Sequence, residues 1–149
     1  MDKWKAAIEL GNDCFEARRY DDAIRHYQSA KQRVVKLFPQ WFQRDDIVAA
    51  WVVSHQNIAD VLVAQEHTGQ AESELRCGYE FLAQQVVDRP DPDSFMALQR
   101  GIRQLHVSLT AHYQEHGARL SKPVCPCQRP RRSRPRPSYS RSSPNVSVQ

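Results

Sequence analysis

Apolar side chains recur along this chain every three or four residues, the spacing that gathers them on one face of a helix. The first such stretch holds Trp4, Ala7, Ile8, Leu10, Gly11, Cys14 and Phe15, and Arg18 and Arg19 close it. Asp21 and Asp22 then place negative charge where a second helix begins, and Ala23, Ile24, Tyr27, Ala30, Val34 and Leu37 continue the period. Pro39 should break or kink the chain, because proline lacks the amide donor and crowds the preceding turn.

A third helix is expected from an N-cap at Asp45, with Val48, Trp51, Val52, His55, Ile58, Ala59 and Leu62 on one stripe. Thr68 and Gly69 mark its end and the start of a fourth, carried by Ala71, Leu75, Tyr79, Leu82 and Val86. Asp88 to Ser94 connects to a fifth. There Asp91 followed by Pro92 reads as an N-cap with proline at the first helical position, and Phe95, Leu98, Ile102, Leu105, Leu109 and Tyr113 follow. Gly117 terminates it.

The composition changes after Leu120. Residues 121–149 are rich in Pro, Arg and Ser, with too few large apolar side chains to offset the entropy of ordering, so a disordered tail is expected there. The helical domain is accordingly 1–120. Charge divides at the same boundary: the tail holds Lys122, Arg129, Arg131, Arg132, Arg134, Arg136 and Arg141 and no acid. Without those seven, the first 120 residues carry 14 bases against 17 acids, so the pI of 9.0 belongs to the tail.

The first ten residues hold Asp2, Lys3, Lys5 and Glu9 and lack the apolar run of a secretory signal. No stretch approaches the roughly 18 consecutive apolar residues of a membrane span, so no membrane role is expected. Four cysteines, Cys14, Cys77, Cys125 and Cys127, are too scattered for a disulfide framework, which fits a cytoplasmic location.

Leu10, Gly11 and Cys14, followed by Ala23, Tyr27 and Ala30, resemble the tetratricopeptide repeat, in which W-x2-L-G-x2-Y and A-x3-F describe two closely packed helices. The segment GNDCFEARRYDDAIRHYQSA resembles one repeat along its whole length. Ile58, Ala59, Leu62, Ala71 and Leu75, with Gly78 at the last small position, resemble a second. SHQNIADVLVAQEHTGQAE is also similar to short proteobacterial proteins of this class. Two departures stand out. Ala7 occupies the expected aromatic position, and Gly11 to Ala59 spans 48 residues against a family period of about 34. His106 stands at the equivalent small position of the fifth helix, which is expected to act as a modified cap.

The resemblance implies an all-α fold of TPR-like antiparallel helix pairs, about five helices at long pitch, and a concave face lined by the first helix of each pair. It puts Lys5, Ile8, Glu9, Asn12, Glu16, Gln56, Asn57, Asp60, Arg100, Arg103 and Gln104 on that face. Some family members clamp a peptide's terminal carboxylate there. Asn12, Asn57 and Arg103 match that pattern, whereas Ile8 and Val107 stand where cations belong, which removes much of the charge pairing. At these positions asparagine also bridges neighbouring helices without touching a ligand. Trp41 and Phe42, between the repeats, read as core cover or as a contact patch.

His112, Glu115 and His116 spell H-x-x-E-H, the inverted zinc-protease motif, but no Asp or Glu follows Glu115 to supply the further ligand. A structural zinc site from His112, His116, Cys125 and Cys127 is the metal alternative, against a C-x-C spacing tighter than usual. Neither a phosphate-cradling glycine loop nor a nucleophile with its base is present, so no catalysis and no cofactor are expected. The leading expectation is an interaction module that binds a peptide or helix of a partner protein on its concave face. Its alternative is a nucleic-acid accessory protein bound through the basic tail, with Tyr139 to stack on a base. Two and a half repeats leave exposed ends, which also allows self-association.

Overall fold

The structure, a computed structural model, describes residues 1–41, 45–87 and 91–117, apart from the side chains of Gln40 and Trp41. It is built from α1 (Asp2–Glu16), α2 (Tyr20–Trp41), α3 (Asp45–Ala64), α4 (Thr68–Val87) and α5 (Pro92–His116), with no strand among the described residues. Phe42, the 121–149 tail and its Cys125 and Cys127 lie outside the described residues.

Two short turns fold the helices into antiparallel pairs, and the turns are copies of each other. After α1 the amide of Arg18 bonds the Phe15 carbonyl and that of Arg19 bonds Cys14, with Arg18 at φ 57°. After α3 the amide of Glu66 bonds Val63 and that of His67 bonds Leu62, with Glu66 at φ 62°. These paired bonds satisfy carbonyls that a helix end leaves open, by way of one left-handed residue. Every member of the second turn lies 48 residues after its counterpart, the separation of Gly11 from Ala59. At the start of α5 the Asp91 side chain accepts from the Ser94 amide at 3.1 Å, with Pro92 in the first turn as its fixed φ favours.

The centre of the molecule is α3. Eleven of its 20 residues are buried, because α1, α2, α4 and α5 all pack against it. By length and composition α3 is apolar enough to cross a bilayer, with a mean hydropathy of 1.4, although no uninterrupted apolar run marks it in the sequence. In the fold that apolarity makes the core. Trp51 stacks on Phe81 of α4 and meets Phe38 of α2 edge-on, its Nε1 donating to the Gly78 carbonyl at 3.1 Å. A buried indole with its N–H satisfied holds three helices together without leaving a polar atom stranded.

Small residues set how closely the helices approach. A Cβ on Gly11 would lie 2.3 Å from Tyr27 Cε1, so α1 and α2 meet ring against backbone, as the family pattern implies for this position. On α5 the close contact is not at His106, which is exposed, but at Gly101, where a Cβ would lie 2.6 Å from Val48 Cγ1 and 2.8 Å from Leu82 Cδ1. The position equivalent to Ala59 is therefore not the close-packed one on α5, which packs on α3 and α4 in its own register.

Two further expectations change. Helix α2 does not stop before Pro39 but ends two residues beyond it, at Trp41. In the last turn a proline removes a single amide donor and faces solvent, so the helix closes shortly after it rather than before. Cys77 is buried and disulfide-bonded, leaving Cys14 as the free thiol among the described residues, so scatter along the sequence did not keep the cysteines unpaired.

Candidate functional site

Helices α1, α3 and α5 lie side by side and run in the same direction, as their cross-links show. Trp4 Nε1 donates to Ser54 Oγ at 3.0 Å near the start of α1, and toward its end the charge of Asp60 acts on Tyr27, whose hydroxyl donates to Asn12 Oδ1 at 2.7 Å. Between α3 and α5, Arg100 Nη2 reaches both oxygens of Asp45 at 2.5 Å, and Gln56 Nε2 donates to Ser108 Oγ at 2.8 Å. Both series ascend together. Along α3, residues 49, 53, 56, 60 and 64 recur at helical spacing on the side that the other two helices leave open. Of these Ala49, Asp60 and Ala64 are exposed and Val53 and Gln56 partly so.

The residues assigned to this face by resemblance divide into two groups. Lys5, Glu9, Glu16, Arg103 and Gln104 are exposed, and Asn57 and Asp60 line a cleft described below. The rest are engaged within the fold. Ile8 packs against the core, Asn12 is held by Tyr27, Gln56 by Ser108, and Arg100 by Asp45. The side-chain oxygen of Asn12 thus takes a bridging role between α1 and α2. Arg100 is not a free cation either: it ties the first turn of α3 to α5. Long polar side chains beside a neighbouring helix find partners there first, because leaving a half-buried donor open costs about as much as a lost hydrogen bond.

Toward the C-terminal end of the face, α3 and α5 part around a cleft of about 340 Å³. Gln56, Asn57, Asp60 and Val63 line it from α3, Leu75 from α4, and Ser108, Ala111, His112, Glu115 and His116 from α5. Burial raises the Asp60 carboxyl above its ordinary value, and no described residue pairs with it. The His112 ring is buried and its pKa is pushed down, first by burial and then by the neighbouring His116, so it is neutral at pH 7.

The H-x-x-E-H string therefore sits on the wall of this cleft. The rings of His112 and His116 are 4.8 Å apart, and His116 Nε2 lies 3.6 Å from Glu115 Oε2. A water-activating glutamate would need to face the metal its histidines hold; here Glu115 faces His116. Among the described residues no three of His, Cys, Asp and Glu come together as metal ligands.

A second polar cluster escaped the sequence reading. His55 is fully buried on α3, its Nδ1 lies 2.8 Å from Glu74 Oε1 of α4 and 3.0 Å from the Glu74 carbonyl, and Lys31 Nζ of α2 approaches the same carboxylate at 2.6 Å. Burial would raise Glu74, but the hydrogen bonds of His55 and Lys31 and the charge of Lys31 outweigh it and hold the carboxyl well below its ordinary value. Burial lowers His55 against those same contacts, so the ring is neutral, carries its proton on Nδ1 toward Glu74, and leaves Nε2 without a partner. The cluster has no opening to solvent at His55 and serves to clamp α2, α3 and α4. Sequence periodicity marked His55 only as a member of the apolar stripe, and Lys31 and Glu74, 43 residues apart, carry no local signal.

No curated protein and no solved structure matches this chain. Residues 2–128 match the family described as protein of unknown function (DUF2753), a span that takes in all five helices. With that match covering most of its length, the chain belongs to the DUF2753 family.

Proposed function

We propose that this protein is an interaction module of TPR-like helix pairs, α1 with α2 and α3 with α4, capped by α5, that binds a peptide or helix of a partner protein along its concave face and carries no catalysis. The observation that carries the reading is the open strip between α1 and α5. Three parallel helices leave small residues, Ala49, Val53 and Ala64, on its floor, with exposed polar residues such as Lys5, Glu16 and Arg103 at its edges. A floor of short side chains admits another backbone, and polar edges fix register, which is how an extended or helical segment docks in a groove. The 48-residue copy of the turn supports descent from a repeated helix pair. The polar clusters present are engaged in holding helices, which disfavours an enzyme.

The test is selection of binding peptides on the purified full-length chain, followed by amide chemical-shift mapping. Shifts should concentrate at Lys5, Val53, Asn57, Asp60 and Arg103, and Ala49→Arg, which fills the floor from an exposed position, should abolish binding without unfolding the protein. Binders that map to α2 and α4 would overturn the proposal.

A further inference from the structure

Within the cleft between α3 and α5, the titratable groups are engaged with neighbours in all cases but one, and so is Gln56. Gln56 is bonded to Ser108, His116 lies beside Glu115, and His112 is buried and neutral with a hydrogen bond to the Thr68 backbone. Asp60 is the exception. It is an acid with no hydrogen bond and no ion pair among the described residues, at the edge of a concavity.

We propose that this cleft is a subsite for a basic side chain, guanidinium or ammonium, presented by the partner's peptide, with Asp60 as its counter-ion and the Asn57 amide beside it. This deepens the concave-face reading and rests on it. Charge selects the ligand: Asp60 and Glu115 contribute two carboxylates, and among the described residues no lysine or arginine lines the cleft. His116, packed against His112 and only partly buried, lines the same wall of the cleft. At about 340 Å³ the cleft is at the small end of ligand pockets, which suits one side chain held at an end of a longer docked segment. The raised carboxyl of Asp60 agrees with the geometry, since its only cause is loss of water that nothing in the free protein replaces. An exposed acid on a cleft wall with no partner among the described residues is open to a cation that arrives from outside.

The experiment titrates the full-length chain with the capped tripeptide Ala-Arg-Ala and follows amide shifts by NMR, with the neutral isostere Ala-citrulline-Ala as control. Saturable shifts at Asn57, Asp60, Ala111 and Glu115 are expected with arginine and not with citrulline. Asp60→Asn should weaken binding about tenfold, as expected for one charge-assisted contact. Asp13→Asn, which removes the same charge from an exposed position on α1, should change it less than twofold. Asp60 is exposed, so Asp60→Asn should leave the thermal midpoint close to that of wild type, and this reading reports at once that the variant folds. Equal effects of the two substitutions, or equal binding of citrulline, would overturn the subsite; if peptides still perturb Lys5 and Arg103, the concave-face reading survives that loss. Neutralising Arg129, Arg131, Arg132, Arg134, Arg136 and Arg141 provides the last arm. A rise in arginine affinity that disappears in the Asp60→Asn background assigns the cleft to the chain's own tail and overturns the assignment to a partner; unchanged affinity upholds it.

Discussion

Replacing Glu74 by glutamine keeps the shape of the side chain and removes the charge that Lys31 and His55 share. The carboxyl is lowered to about 2 against an ordinary 4.5, and because part of that comes from a charged His55, which is neutral at pH 7, the folded-state stability at neutral pH is at most roughly 3 kcal/mol at ~1.4 kcal/mol per tenfold in proton affinity. Lys31 and Glu74 are only 12% and 15% exposed, so little of this is lost to solvent screening. Glutamine can still accept one hydrogen bond, from His55 or from Lys31, and the lysine can turn its ammonium toward water; the expected cost is therefore about 2–3 kcal/mol. The sign of the pH dependence follows from the same groups. Glu74 is depressed on folding, so its contribution is complete above about 4.5 and disappears as pH falls toward 2. His55 is also depressed, but as a base: unfolding lets it take a proton, so stability falls as pH drops below 6.5 in wild type and variant alike. Urea unfolding followed by Trp51 fluorescence, at intervals from pH 7.5 to 2.5, separates the two. The difference between wild type and Glu74→Gln should be constant down to about pH 5 and shrink below it. A cost under about 1 kcal/mol at pH 7 with a difference that stays flat to pH 2.5 would refute the account of the cluster as a charged clamp.

Other expectations follow from the packing and the turns. Gly101→Ala should destabilise by about 1–2 kcal/mol in thermal unfolding, because its Cβ would crowd Val48 and Leu82 by more than the gain in helix propensity returns. Glu66→Gly should stabilise by up to about 1 kcal/mol, since it relieves a left-handed residue at the α3–α4 turn, and Arg18→Gly should do the same at the matching turn. Arg100→Gln should change stability by less than about 1 kcal/mol despite two short contacts to Asp45, because both side chains are more than half exposed; denaturation in low and high salt should give nearly the same small difference.

Much of the candidate site was legible in sequence only as a set of positions on helix faces. Lys5, Asn57, Asp60 and Arg103 are named from the repeat resemblance, which carries over positions on α1, α3 and α5 one by one. What spacing cannot supply is the identity of the neighbour. Asn12 met Tyr27 from 15 residues away, Gln56 met Ser108 from 52 and Arg100 met Asp45 from 55, and each contact converted a candidate ligand-binding group into a bridge between helices. The H-x-x-E-H string shows the same limit in reverse: its residues do lie on a cleft wall, but the glutamate faces His116, and Asp60, which lies outside that string, is the acid left unpaired among the described residues.

By itself the sequence determined the number of helices, the caps at Asp91 and Gly117, and the 48-residue separation that the two turns reproduce, because helix periodicity and end signals act within a few residues of chain. Tertiary structure decided the rest. It placed the close approach of α5 at Gly101 rather than near His106, made the apolar α3 a core helix, and joined Lys31, His55 and Glu74 from three helices into one cluster. Those outcomes depend on which face of one helix meets which face of another, and that is fixed by the joint burial of many side chains distant in sequence rather than by any local signal.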